Sequence, residues 1–379
     1  MYLICDLEYS ICMSKLKVGD LSDAKLDHDR LKNIDSLINR LILEECFPGA
    51  VIAVGRNNVL AFLQSYGYAS LYPAKEKMTI DKVFDLASLT KVVCTTSMVM
   101  KAVEDGLIRL DDPISYFIPT FSGEKRDKVT IWHLLTHTSG LPPHVPLYSV
   151  LSSKDDVIDY ISKLKLEYTP GTKVVYSDLG FILLGIIIEK TFDTTLDVIS
   201  QEKIFIPLGM NDTMFNPKGK LKERAVTTEY CKLRKRFLKG EVHDENSWFM
   251  GGVAGHAGLF STAFDLSIFA QMLLNGGVYD NKRIFSKTTI EEFTRIQTGH
   301  LNKNRALGWT IKGRQCSCGD LMSGKAFGHT GFTGTSIWID PTYNMFIILL
   351  TNRVHPTREN ECILRARPLI HNYIMSTII

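Results

Sequence analysis

A serine and a lysine three residues apart on a helix share one face, so the ammonium can lie beside the hydroxyl. If its surroundings neutralise it, the amine can take the serine's proton, and the oxygen can then attack an ester or amide carbonyl. Ser88 and Lys91 have this spacing within DLASLTK. The same S-x-x-K pattern also starts at Ser14, Ser22, Ser122, Ser162 and Ser200, all in charged or polar stretches. Ser88 differs because it directly follows the apolar run Val83 to Ala87, where a helical pattern begins. Unpaired backbone N–H groups and the positive end of a helix dipole surround such a position. The Ser88 N–H could then serve as one donor of an oxyanion hole. The plain alternative is a helix-capping serine followed by a surface lysine, and the tetrad alone does not decide.

Elements on both sides must hold these residues. Leu31, Ile34, Leu37, Ile38, Leu41 and Ile42 form one helical stripe within 28–45. Two strands follow within 47–70, around the turn Arg56-Asn57-Asn58, which reads as a hairpin. Helix-like stretches at 88–105, 129–136, 155–164, 178–192 and 264–275 fill the middle, separated by Pro and Gly. A second strand pair, 335–341 and 344–352, precedes a last helix over 358–375. Strand pairs at both ends around a helical middle predict an α+β fold. Its antiparallel sheet is built from both chain ends and flanked by helices, with a helix-rich inserted subdomain. The expected division is an N-terminal extension over 1–27 and one catalytic domain over 28–379. The sheet then comes from about 28–84 and 305–379, and the helical part from about 85–304.

Composition removes several function classes. The 379 residues carry a formal charge of +3 with mixed signs, which offers no case for nucleic acid or an anionic membrane. The run Lys232 to Lys239 is interrupted by Leu233, Phe237 and Leu238 and reads as a solvated loop or helix face. No stretch reaches the ~18 apolar residues that a membrane span needs. The start, MYLICDLEYSICMSK, carries Asp6 and Glu8 and lacks a basic leader region, so the expected location is cytoplasmic. The eight cysteines are scattered and are expected to be reduced thiols. Cys316 and Cys318 form a C-x-C pair, but no second Cys or His pair stands nearby at zinc-like spacing. His243, Asp244 and His256 could ligate a metal in principle. A pocket-bordering loop with Asp244 or Asn246 in turn hydrogen bonds is the simpler reading, and no metal is expected. Thr262 or Ser261 is placed as a helix N-cap before Asp265. His133 and His137 lack the intervening Glu of a zinc protease and are read as structural.

Six ordered stretches decide the case for Ser88. They are DLASLTK (85–91), TIWHLLTHTSGLP (130–142), PGTKVVYSDLGFILLGIIIEK (170–190), IFIPLGMNDTMF (204–215), GHAGLFSTAFDLSIFAQMLLNGG (255–277) and FGHTGFTGTSIWIDP (327–341). Together they resemble the class C β-lactamase-like branch of the penicillin-recognising serine hydrolases, over roughly 30–375. That branch also holds DD-peptidases, esterases and amidases, and combines S-x-x-K with Y-x-N and K-T-G. The resemblance implies Ser88 as nucleophile, Lys91 as its partner and Tyr176 as the residue that shuttles a proton to the leaving group. It implies Thr330 and Gly331 as the strand motif and the Phe332 N–H as the second oxyanion donor. No cofactor is implied.

Two positions depart from the family pattern. Asp178 stands where Y-x-N has an amide, and His329 stands where K-T-G has an ammonium. An ionised Asp178 accepts but cannot donate, and His329 is largely neutral near pH 7 at an ordinary pKa of ~6.5. Both changes weaken binding of an anionic β-lactam. A carboxylate near Lys91 favours the charged ammonium, which makes Tyr176, acidified by its cationic neighbour, the better candidate base. The resulting expectation is a serine hydrolase acting on a small-molecule ester, amide or peptide, including a cell-wall-derived peptide. A true class C β-lactamase and a non-catalytic binder of β-lactams or peptidoglycan fragments are the rivals. His243 and Trp248 are further candidates for touching the substrate.

Overall fold

A computed structural model of the chain describes residues 15–123 and 125–379. The N-terminal stretch read for a leader, with Cys5 and Cys12, lies outside the described residues. Residues 28–45 form two helices, α1 (His28–Lys32) and α2 (Ile34–Leu43), broken at Asn33. Leu31, Ile34, Ile38 and Leu41 are buried, as the stripe requires. Strands β2 (Gly49–Arg56) and β3 (Val59–Ser70) then pair antiparallel, with Arg56 opposite Val59. Between them Asn57 and Asn58 both have positive φ, 54° and 65°. That is the two-residue turn whose twist matches the strands, and asparagine tolerates it. Ahead of them, β1 (Lys17–Val18) runs parallel to β3, so the segment expected as an extension contributes an edge strand. A short β4 (Glu76–Lys77) pairs with β3.

The other half of the sheet comes from the C-terminal part. It comprises β5 (Thr310–Ile311), β6 (Phe327–Thr330), β7 (Ser336–Asp340) and β8 (Met345–Thr351), giving the order β1-β3-β2-β8-β7-β6-β5. β8 lies antiparallel to β2 from Met345 opposite Arg56 to Thr351 opposite Ala50. The two chain ends therefore meet in the middle of one sheet, as the α+β reading expects. Side chains of β2 and β8 alternate between two cores. Val51, Ala53, Phe346, Ile348 and Leu350 face the helical part. Ala50, Ile52, Val54, Ile347 and Leu349 face α2 and the last helix. Both faces are covered, which explains why these strands read as nearly continuous apolar runs.

The helices that matter for the site are α3 (Ser97–Glu104), α4 (Asp178–Phe192), α5 (Glu245–Phe249), α6 (Ala263–Leu274) and α7 (Ile363–Met375). Thr262 caps α6 by accepting the Asp265 N–H, and Asp244 caps α5 by accepting the Ser247 N–H. No helix among the described residues is long and apolar enough to cross a membrane.

Two expectations are corrected. The basic run 232–239 is neither a loop nor a helix face throughout: Arg236–Lys239 is a strand paired with Thr227–Cys231. Leu238 is buried there, and the Arg234 guanidinium donates to the Val242 and His243 carbonyls. Its charge is spent on backbone oxygens, a use that charge patterning cannot show. The thiols are also not all reduced, because Cys46 and Cys362 form a disulfide with Cα atoms 4.8 Å apart. The bridge spans 316 residues and ties the end of α2 to the start of α7. Replacing both cysteines by serine is expected to cost about 2–5 kcal/mol. A urea midpoint unchanged from wild type would contradict this.

Candidate active site

The backbone around Ser88 is held in an unusual shape. Phe84–Asp85 pairs with Leu259–Ser261, and the Asp85 carboxylate accepts the N–H groups of Ala87 (2.8 Å) and His243 (2.6 Å). Ala87 is left with φ +47°, a left-handed conformation rare for a residue with a Cβ. A tight turn over Ala87–Leu89 follows, and the helix then widens over Lys91–Thr96 before continuing as α3. Ser88 thereby projects at the start of the helix, as the sequence predicts.

Lys91 lies under it, with no exposed surface. Its Nζ donates to Ser88 Oγ at 3.0 Å and to the His256 carbonyl at 2.9 Å, and pairs with Asp178 Oδ1 at 2.8 Å. Burial works to lower the Lys91 pKa, but Asp178 and Tyr176 outweigh it and the ammonium is held above its ordinary range. Burial likewise opposes ionisation of Asp178, yet Lys91, with His144 and His256 assisting, holds it well below the usual carboxylate range. Asp178 opens α4, where the helix dipole also favours a negative charge.

The His256 carbonyl reaches Lys91 because two glycines touch. A Cβ on Gly255 would meet the Phe181 carbonyl oxygen at 2.1 Å, and one on Gly185 would meet the Gly255 Cα at 2.9 Å. The loop before Leu259–Ser261 can therefore lie directly on α4.

Tyr176 stacks between rings. His137 is 4.5 Å away, His329 is 5.9 Å away, and the Arg305 guanidinium lies 5.5 Å over its face. His137 Nδ1 also accepts the Ser177 N–H at 3.1 Å. Burial keeps this ring neutral, as an acceptor must be. His137 is structural, as expected, but it supports the Tyr176 ring directly. His133 serves its own helix through Thr130. One electrostatic expectation changes sign. Burial raises the Tyr176 pKa, and the Lys91 charge with hydrogen bonds to Lys91 and Ser88 only partly offsets it. Tyr176 is not acidified at rest.

The strand side of the site is stitched to the Ser88 loop. Thr333 and Thr335 hydroxyls donate to the carbonyls of Asp85 and Leu86. A Cβ on Gly331 would meet the Leu86 oxygen at 2.3 Å, so only glycine permits this approach. β5 reaches only Phe327 and Gly328, which leaves the edge of β6 at His329 and Thr330 unpaired on that side. His329 lies beside the Thr330 carbonyl, 2.8 Å from Nδ1, and burial with nearby Arg305 and Lys91 pushes its pKa well down. It is a neutral imidazole.

Between these walls is a cleft of about 320 Å³, lined by Ser88, Tyr176, Arg305, His329, Phe332 and Arg367 among others. Its charge comes from arginines that the sequence reading did not single out. Arg305 donates to Thr310 Oγ1, and burial lowers its pKa. Arg367, from α7, has only a 3.5 Å contact to the Thr335 carbonyl and an Nε without a partner. Burial and Arg353 push it down to about 10. Arg353 also lines the cleft, donating to the Phe332, Arg358 and Asn360 carbonyls and lying 4.4 Å from the Phe332 ring centre. Among the described residues, none of these three arginines has a carboxylate in ion-pair contact.

The histidine and acid cluster weighed for a metal does not converge. His256 pairs with Asp244 (2.8 Å), whereas His243 faces Glu229 (3.2 Å) and stacks on Phe332. No group of three or more ligand side chains assembles among the described residues. Trp248 is 40% exposed over Arg234 and does not line the cleft.

The geometry makes the departure at Asp178 testable. If Ser88 hands its proton to Lys91 or Tyr176, both of which are held protonated, that pair must first lose one. Asp178→Asn removes the charge that holds that proton. The rising limb of the kcat/KM pH profile is expected to move about 1–3 units lower. A limb that stays in place would put Asp178 outside the proton balance.

The sequence model described as Beta-lactamase matches residues 34–369. The N-acetylmuramyl-L-alanine amidase of Bacillus subtilis (strain 168) is 36% identical, over 89% of this chain and 84% of that protein. A protein of Salmonella enteritidis PT4 provisionally named D-alanyl-D-alanine carboxypeptidase is 34% identical, over 91% of this chain and 88% of its own length. A solved class C β-lactamase superposes with a TM-score of 0.74 at 20% identity, covering 93% of this chain and 97% of that one. The chain therefore belongs to the Beta-lactamase family, and through it to the serine hydrolases.

Proposed function

We propose that this chain hydrolyses an amide bond in a cell-wall-derived peptide through an acyl-enzyme on Ser88. The observation that carries the reading is a nucleophile–ammonium–carboxylate cluster opening into a cleft walled by arginines with no carboxylate partner among the described residues, beside a neutral His329. Ser88 Oγ attacks the amide carbonyl, and the oxyanion rests between the N–H groups of Ser88 and Phe332. The C–N bond breaks as the leaving nitrogen takes a proton relayed through Tyr176, and water then releases the acyl group by the same route. The arginines suit a leaving group that bears carboxylate. The names of the amidase and the carboxypeptidase relatives support an amide in this substrate class. Asp178 and His329 weigh against a β-lactam.

The test is intact mass after rapid quenching from three substrates: an N-acetylmuramyl-L-alanyl peptide, a peptide ending in D-Ala-D-Ala, and a nitrophenyl ester. An acyl adduct mapped to Ser88 with either peptide, and turnover lost in Ser88→Ala, is the expected result. Turnover of the ester alone would favour an esterase. No adduct from any of the three would favour a binder.

A further inference from the structure

We propose that Cys316 and Cys318 form a second redox site, a dithiol that closes to an intramolecular disulfide on reaction with a low-molecular-weight disulfide such as oxidised glutathione. The two residues lie in the long loop between β5 and β6. Their Sγ atoms are 2.7 Å apart, inside the ordinary contact distance of two unbonded sulfurs. The chain is already bent to hold them there: the Cys318 N–H donates to Cys316 Sγ at 3.4 Å, and the Gly319 N–H donates to the Cys316 carbonyl at 3.1 Å. Lys312 Nζ donates to the Gly319 carbonyl at 2.8 Å, which fixes a cation beside the pair.

The two sulfurs differ in the way such a reaction needs. Cys316 is partly exposed, whereas Cys318 has no exposed surface and packs in the core beneath α7. The hydrogen bond from Cys318, with Lys312 nearby, lowers Cys316 to about 7 against the effect of burial. The same hydrogen bond, with burial, raises Cys318. One thiol is therefore a reachable thiolate and the other a protected resolving group.

In the first step the Cys316 thiolate attacks one sulfur of oxidised glutathione, forming a mixed disulfide and expelling one glutathione thiolate. Cys318 then no longer faces a negative sulfur. It loses its proton, attacks Cys316 Sγ and expels the second glutathione. Two protein thiols are oxidised and one disulfide is reduced to two thiols. The loop also touches the helix that supplies part of the cleft wall. Asn372 of α7 accepts the Asp320 N–H at 2.6 Å, and the same helix carries Arg367. The proposal is independent of the hydrolytic reading.

The experiment exposes the whole protein to oxidised glutathione at neutral pH, quenches with acid, and maps the peptide containing both cysteines by mass. The expected result is a loss of two hydrogens with no glutathione retained. Cys318→Ser is expected to retain one glutathione on Cys316, and Cys316→Ser to show neither ring nor adduct. A wild-type peptide that keeps its glutathione, or stays a dithiol under conditions where free cysteine is fully converted, would overturn the proposal. Because the wild-type outcome is decisive alone, a variant that failed to fold would not rescue it.

Discussion

Lys91→Met is expected to lower kcat/KM by roughly 10³–10⁴-fold. The same variant is expected to lose about 3–5 kcal/mol of stability. Both effects come from one atom, because Lys91 Nζ touches Ser88 Oγ, the His256 carbonyl and Asp178 together. Methionine fills nearly the same volume but donates nothing. Asp178 would remain as a buried carboxylate without its cation, and part of its depressed pKa would be lost. The double variant Lys91→Met/Asp178→Asn separates the two consequences. It is expected to recover most of the stability and none of the activity, as read from denaturant midpoints and initial rates. If the single variant were as stable as wild type, the ion pair would contribute nothing net to folding. If it kept its rate, Lys91 would have no part in proton transfer.

Arg367→Met is expected to move activity and stability in opposite directions. A guanidinium with an unpartnered Nε and a pKa pushed down to about 10 is a poor resident for a folded interior. Its removal is expected to stabilise the fold by about 1–2 kcal/mol. The loss should appear in catalysis. If the arginine wall receives a carboxylate, removing one contact costs roughly 2–3 kcal/mol, or about 30–150-fold in kcat/KM on a substrate with that group. A neutral nitrophenyl ester should be turned over at the wild-type rate. Equal losses on both substrates would mean that Arg367 shapes the cleft and does not read charge.

Much of this site is legible in the amino-acid sequence. The spacing of Ser88 and Lys91 suggests a nucleophile without deciding it, and Tyr176 and Asp178 stand out only through the six ordered motifs and the resemblance they carry. The Asn57-Asn58 turn and the apolar runs of β2 and β8 declare themselves through local periodicity. What escapes the sequence is what arises only when distant segments meet. Arg305, Arg353 and Arg367 come from three separate segments, and no local pattern marks an arginine that will stand without a carboxylate beside it. The Cys46–Cys362 bridge joins residues 316 apart, and the Arg236–Lys239 strand is hidden by its charges. The Tyr176 expectation fails for a related reason. A neighbouring cation can be inferred from sequence, but the depth of burial that outweighs it cannot.

The pairing of β2 with β8 also has a consequence for how the enzyme is made. On a ribosome β2 can pair with β3 at once but must wait until Met345–Thr351 is made before its second neighbour, β8, exists. Ser88, Lys91 and Tyr176 are synthesised in that interval, but Thr330, Gly331 and Phe332 follow much later. Pairing across such a distance is also slow to form. A nascent chain therefore carries Ser88 and Lys91 without the opposite wall of the cleft. The two walls of the cleft meet only once β6, β7 and β8 have been made, and the exposed edge of β2 is the surface that a chaperone would have to shield in the meantime.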